Sequence, residues 1–141
     1  MKIIKKIVQT FTGEKGIFYE RRKVFTDLLR DVRGIRTVWL LPWAFELMNH
    51  SEQICNDTIS HIDGKYTLKE LRTHHLTGVL KTIEALLQKQ GLEREEAIVA
   101  TAFTHVQNPA YPEGLLLLRL KEVIELLKVT VINFGLTKKE A

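Results

Sequence analysis

Thr67, Glu70 and Gly91 frame a complete helix, with an opening cap, an apolar stripe between and a stop. Thr67 precedes Glu70 by three residues, the spacing at which a hydroxyl and a carboxylate cap a first turn reciprocally. Leu68, Leu71, Leu76, Val79, Ile83, Leu86 and Leu87 then predict a buried face. Gly91 stands where the backbone leaves a helix through the left-handed region. A helix with one apolar face must bury it against other elements, so this stretch demands partners elsewhere in the chain.

The neighbouring segments supply them with the same period. Over residues 17–33, Phe18, Phe25, Leu28, Leu29 and Val32 form an apolar arc, and Gly34 follows as a C-terminal glycine. Residues 36–41 predict a connector or strand-like run, because Pro42 disfavours helix at Leu41 and favours a helix start after it. That helix is expected to run to about Ser60, short of Asp63-Gly64. Residues 93–107, acidic in their first turn, predict another helix ended by Asn108-Pro109, and Pro112 opens a last one closing near Gly135. Residues 2–11 place Ile3, Ile4, Ile7, Val8 and Phe11 at helical spacing, though residues 12–16 would equally serve as a hairpin turn. The expected fold is all-α, a single domain built as an antiparallel bundle of five or six helices. Residues 1–16 read as a basic amphipathic arm and 136–141 as a loose tail.

Composition bounds the chemistry. A chain of 141 residues buries roughly 68% of its unfolded surface, enough for a core that needs neither disulfides nor metal. Cys55 is the only cysteine, so no internal disulfide forms, and the expected location is a reducing cytoplasm. Cys55 projects off the apolar stripe of its helix and has no base partner in the pattern, so a thiol nucleophile is not expected. The greasiest stretch, residues 115–134, contains Arg119, Lys121, Glu122, Glu125 and Lys128, too many charges for a membrane span. Membrane-surface contact through the amino-terminal arm is not the favoured expectation. Trp39, Trp43 and Phe45 form the densest aromatic cluster, expected in the core or at the interface of a homo-oligomer.

Charge is distributed unevenly. The first forty-one residues carry ten Lys/Arg against four Asp/Glu, a surplus of six, while the remaining hundred are two negative. Projected on a helix with Arg22 at the origin, Arg33 falls at about 20°, Arg30 at about 80° and Lys23 at about 100°. Glu20, Asp27 and Asp31 collect separately, between about 140° and 180°. A basic stripe of its own suggests an anionic partner, either nucleic acid or an acidic protein, contacted by Arg22, Lys23, Arg30 and Arg33. No helix-turn-helix spacing accompanies it, so base-specific reading is not expected.

Histidines and carboxylates offer a second constellation. Glu46/His50, Asp57/His61 and Glu70/His74 are spaced i,i+4, and such pairs orient metal-binding imidazoles. His50 and His61 lie eleven residues apart, roughly 16 Å along one helix, so a shared ion would need ligands from another helix such as His74 or His105. No H-E-x-x-H or E-x-x-H spacing brings two ligands together, and no glycine-rich phosphate loop is present. No cofactor is expected.

The segment His74-His75-Leu76-Thr77-Gly78 resembles the H-x-L-K-G signature of histidine phosphotransfer domains. The resemblance implies a cytoplasmic helical bundle whose phospho-accepting residue is His74, exposed beside Gly78. Thr77 stands where that family has the lysine that helps neutralise the phosphoryl group, and the match covers five residues of 141. These features together describe a helical binding or regulatory protein, more readily non-enzymatic than enzymatic. A phosphotransfer protein using His74 and a metal-dependent enzyme using the His/carboxylate pairs are the alternatives.

Overall fold

The computed structural model describes residues 13–137, with side chains from residue 20 onward. Those residues form an all-α bundle of five helices. They are α1 (Gly13–Arg36), α2 (Pro42–Ile62), α3 (residues 68–89), α4 (Glu93–Gln107) and α5 (Glu113–Phe134). Gly13 to Gly16 belong to α1 and make no hairpin turn. The expectation for residues 2–11 lies outside the described residues.

Each helix packs on its neighbour in sequence, α5 closes the ring onto α1, and a further contact between α2 and α5 crosses the middle. The antiparallel register of α1 and α2 is visible in their cross-links. Arg22, Arg33 and Arg36 meet Asp63, Glu52 and Asn49, so numbers rise along one helix as they fall along the other. All five helices contribute to a buried cluster that includes Phe25, Leu47, Ile83, Val106 and Leu120.

Sequence signals act where they stand. Pro42 opens α2 behind an extended Leu41. The Thr67 hydroxyl accepts from the Glu70 amide at 3.0 Å, and the Thr67 amide donates to the Glu70 carboxylate at 2.8 Å. Gly64 and Gly91 take φ of 86° and 71°, and after each the next amide reaches back to the carbonyl five residues earlier. Gly34 behaves otherwise. It keeps helical backbone, and α1 runs two residues past it because Ile35 packs on the core while Arg36 ties down to Asn49 and Glu52. The strand-like run at 36–41 contributes one antiparallel bridge, Leu40 to Leu136, flanked by Leu41 N–H on the Gly135 carbonyl at 2.7 Å. Leu136 and Thr137 are therefore paired to the connector.

Two helices differ from expectation, α3 in its backbone and α2 in its buried face. On α3, residues 71–76 form a π turn between α-helical flanks. Leu71 and Leu76, five residues apart, would diverge by about 140° on a regular helix; the wider turn lets both reach zero exposure. On α2 the buried residues are Ala44, Leu47, Met48, Ser51, Ile54, Cys55 and Thr58. Cys55 is thus fully buried, against the projection, because the small side chains Ala44, Ser51 and Thr58 let neighbouring helices close over that side. Burial pushes its thiol pKa up to about 12. Trp43 packs only partly on the core, and Trp39 and Phe45 are exposed.

Candidate functional site

Five basic residues of α1, Arg22, Lys23, Arg30, Arg33 and Arg36, each have a carboxylate neighbour. Arg22 makes a two-pronged contact with Asp63, Nε to Oδ1 at 2.8 Å and Nη2 to Oδ2 at 3.2 Å. Arg33 Nε donates to Glu52 at 2.7 Å, and Arg36 donates to the same carboxylate. Lys23 and Arg30 share Asp27 of their own helix, at 2.8 and 3.3 Å. The acidic band splits, since Asp31 leaves for Lys128 of α5 at 2.9 Å. Arg33, assisted by Arg36, holds the Glu52 carboxyl below its ordinary range, and Arg22 does the same for Asp63. Arg22 and Arg33 therefore fasten α1 to α2, whereas among the described residues Lys23 and Arg30 pair within α1.

Asp57 and His61 take tertiary partners instead of each other, whereas Glu46 still acts on His50 and His74 on Glu70. His61 turns away from Asp57: its Nδ1 faces the Tyr66 carbonyl at 2.8 Å and its Nε2 lies 2.6 Å from Glu113 of α5. Asp57 instead faces His75 Nδ1 at 3.6 Å, beyond hydrogen-bond reach, and its Oδ2 is buried without a hydrogen bond. Burial raises the Asp57 pKa, and His75 opposes the shift. His75 stacks on Tyr66 with centroids 4.0 Å apart. Glu70 is committed to the cap of α3, where the Thr67 contacts lower its pKa. His50 is half-buried, with burial lowering its pKa against exposed Glu46. His105 stacks on Tyr111. Among the described residues, no three His, Cys, Asp or Glu side chains gather into a group able to hold a metal ion.

His74 is exposed and His75 half-buried. Both belong to the π turn, and such turns recur at functional sites because they displace a side chain from the regular helical phase. A Cβ at Gly78 would meet nothing within 4 Å, so the surface beside His74 is open. Arg72, two residues earlier, reaches the Val106 carbonyl at the end of α4 at 2.7 Å and anchors α3 there.

A cleft of about 350 Å³ between α4 and α5 was not anticipated. Small residues on α4, Thr101 and Ala102, face Val123 of α5 and leave the gap unfilled. The turn after α4 supplies one wall. There the Ala110 amide donates to Asn108 Oδ1 and the Tyr111 amide to the Asn108 carbonyl, both at 3.0 Å. This holds the Tyr111 ring 4.1 Å from His105, nearly parallel to it. Arg119 Nε donates to Tyr111 Oη at 3.2 Å, and Arg119 Nη1 pairs with Glu122. The Tyr111 hydroxyl and Glu122 together raise the Arg119 pKa. Pattern reading finds the Arg119/Glu122 pair only as an i,i+3 contact; its meeting with Tyr111 depends on how the α4–α5 turn folds.

No protein-family model, curated protein or solved structure matches the chain.

Proposed function

We propose that this chain is a non-enzymatic binding protein that presents the α1 surface to a polyanionic partner, with a nucleic-acid backbone as the first reading and an acidic protein as the second. One observation carries it. Five cations, Arg22, Lys23, Arg30, Arg33 and Arg36, share three carboxylates, Asp27, Glu52 and Asp63. Among the described residues, this pairing leaves a surplus of two positive charges along one side of a long helix. Lys23 and Arg30 are the most available, at 63% and 74% exposure, because breaking their contact with Asp27 undoes no helix–helix contact.

The test is binding to duplex DNA, a single strand and polyglutamate across a salt series. Four phosphate contacts give a slope of log K against log salt of about −3.6 on duplex and about −2.8 on single strands. K23Q/R30Q removes two of them and should flatten the duplex slope by about 1.8. This pair is preferable to charge reversal at Arg22 or Arg33, which would set like charges against Asp63 or Glu52 and loosen the bundle. Tighter binding to polyglutamate than to either nucleic acid selects the acidic protein. No binding to any probe at low salt rejects the proposal.

The exposure of His74 in its π turn supports a second reading, a phosphoryl-accepting surface. Incubation with a phosphorylated response regulator would then label His74, with loss of label in H74Q and retention in H75Q. Absence of label in the unaltered protein removes this reading.

A further inference from the structure

We propose that the α4–α5 cleft binds an α-amino acid with an apolar side chain, held as its zwitterion. The cleft lies in a different part of the bundle from the α1 surface, and the proposal does not depend on that reading. Its volume, about 350 Å³, sits at the lower end of the range of roughly 300–1,000 Å³ usual for small-molecule sites. That size suits a compact molecule.

The chemistry of the lining sets the class. Ala102 and Val123 make a floor almost closed to water, at 4% and 1% exposure, and Ile98 adds an apolar lip. An aliphatic or aromatic side chain seated there would be drawn in by burial of its apolar surface. At the same mouth stand one guanidinium and one carboxylate, Arg119 and Glu122, in contact with each other. The charged lining is thus balanced. A simple carboxylic acid would pair with Arg119 but face Glu122, and a simple amine would pair with Glu122 but face Arg119. A zwitterion satisfies both, exchanging one internal ion pair for two with the ligand. Arg119 is well placed to grip a carboxylate. The Tyr111 hydroxyl orients it through Nε, and a guanidinium has donors to spare for a two-pronged contact. The stacked rings of Tyr111 and His105 hold that orienting hydroxyl in place.

The experiment is calorimetric titration of the full chain with L-leucine, with 4-methylpentanoate, which lacks the amine, and with 3-methylbutylamine, which lacks the carboxylate. Leucine should bind, and each analogue should bind at least tenfold more weakly. R119Q should weaken leucine at least tenfold, R119K should restore part of the loss, and E122Q should reduce leucine to the level of 4-methylpentanoate. Circular dichroism reports whether each variant is folded. If R119Q is not, the analogue series and E122Q decide the matter alone. No heat from leucine up to about 1 mM, the upper end of ordinary metabolite affinities, overturns the proposal. Analogues that bind as well as leucine, or a folded R119Q that binds it unchanged, overturn it equally.

Discussion

At the scale of single residues, what decides a side chain's contribution is whether its polar atoms have partners. Val79 is 6% exposed on the core side of α3. V79D would place a carboxylate in the apolar cluster, and it should destabilise by several kcal/mol, a large share of a domain's total stability. An unchanged melting temperature by circular dichroism would show that this face is not the buried one. Asp57 already lives with part of that problem. Its Oδ2 has no hydrogen bond, and burial outweighs the help from His75, so its folded pKa lies above its unfolded value. A carboxyl raised in this way contributes stability below its unfolded pKa, about 3.9, and loses it as pH rises through the folded value. D57N should therefore be at least as stable as the parent at pH 7, with its advantage shrinking as pH falls toward 4. A D57N melting temperature that falls further below the parent's as pH rises would mean that the His75 contact dominates after all.

Among elements, the α1–α2 seam shows the opposite sign. Glu52 is held below its ordinary pKa by Arg33 and Arg36, so it contributes stability above the unfolded value that is lost as pH falls through the folded one. E52Q should melt below the parent at neutral pH, and the two melting temperatures should converge in acid, where both side chains are neutral. A constant gap from pH 7 to pH 3 would locate the effect in packing instead of charge. This seam also shows what the sequence made legible. Every described helix was visible from its caps, stops and period, because Pro42, Thr67/Glu70, Gly64 and Gly91 act within a turn or two of chain. The basic stripe was visible too, but its partners were not: Glu52 and Asp63 lie 19 and 41 residues from the arginines they meet. The same limit hid the His61–Glu113 and Asp57–His75 pairs, which tertiary packing chose over their i,i+4 neighbours. On α2 the projection put Cys55 off the apolar stripe, although it is buried. Ala44, Ser51 and Thr58, recurring every seven residues, were the better sign, since close helix approach selects for small residues. On α3 the five-residue step from Leu71 to Leu76 was the trace of the π turn.

For the whole molecule, the buried cluster draws on all five helices, and α2 touches α1, α3 and α5 together. No helix can leave without exposing apolar surface on at least two others, so the described bundle should unfold as one unit. Trp43, partly packed on that cluster, gives a tertiary signal to set against the helical one. In urea, tryptophan fluorescence and far-UV ellipticity should share a midpoint, as two-state unfolding of a domain this size requires. Two distant substitutions sharpen the point. V79D acts in α3, whereas G135A acts where α5 exits, since a Cβ at Gly135 would come within 2.4 Å of the Ala44 Cβ and force the α5 exit off α2. Overpacking of this kind costs about 1–3 kcal/mol. If the bundle is cooperative, each variant lowers the midpoint of the same transition in both signals and leaves its slope unchanged. Were G135A to shift fluorescence while ellipticity held its midpoint, the α2–α5 corner would be opening by itself, and the five helices would have to be divided into separately stable parts.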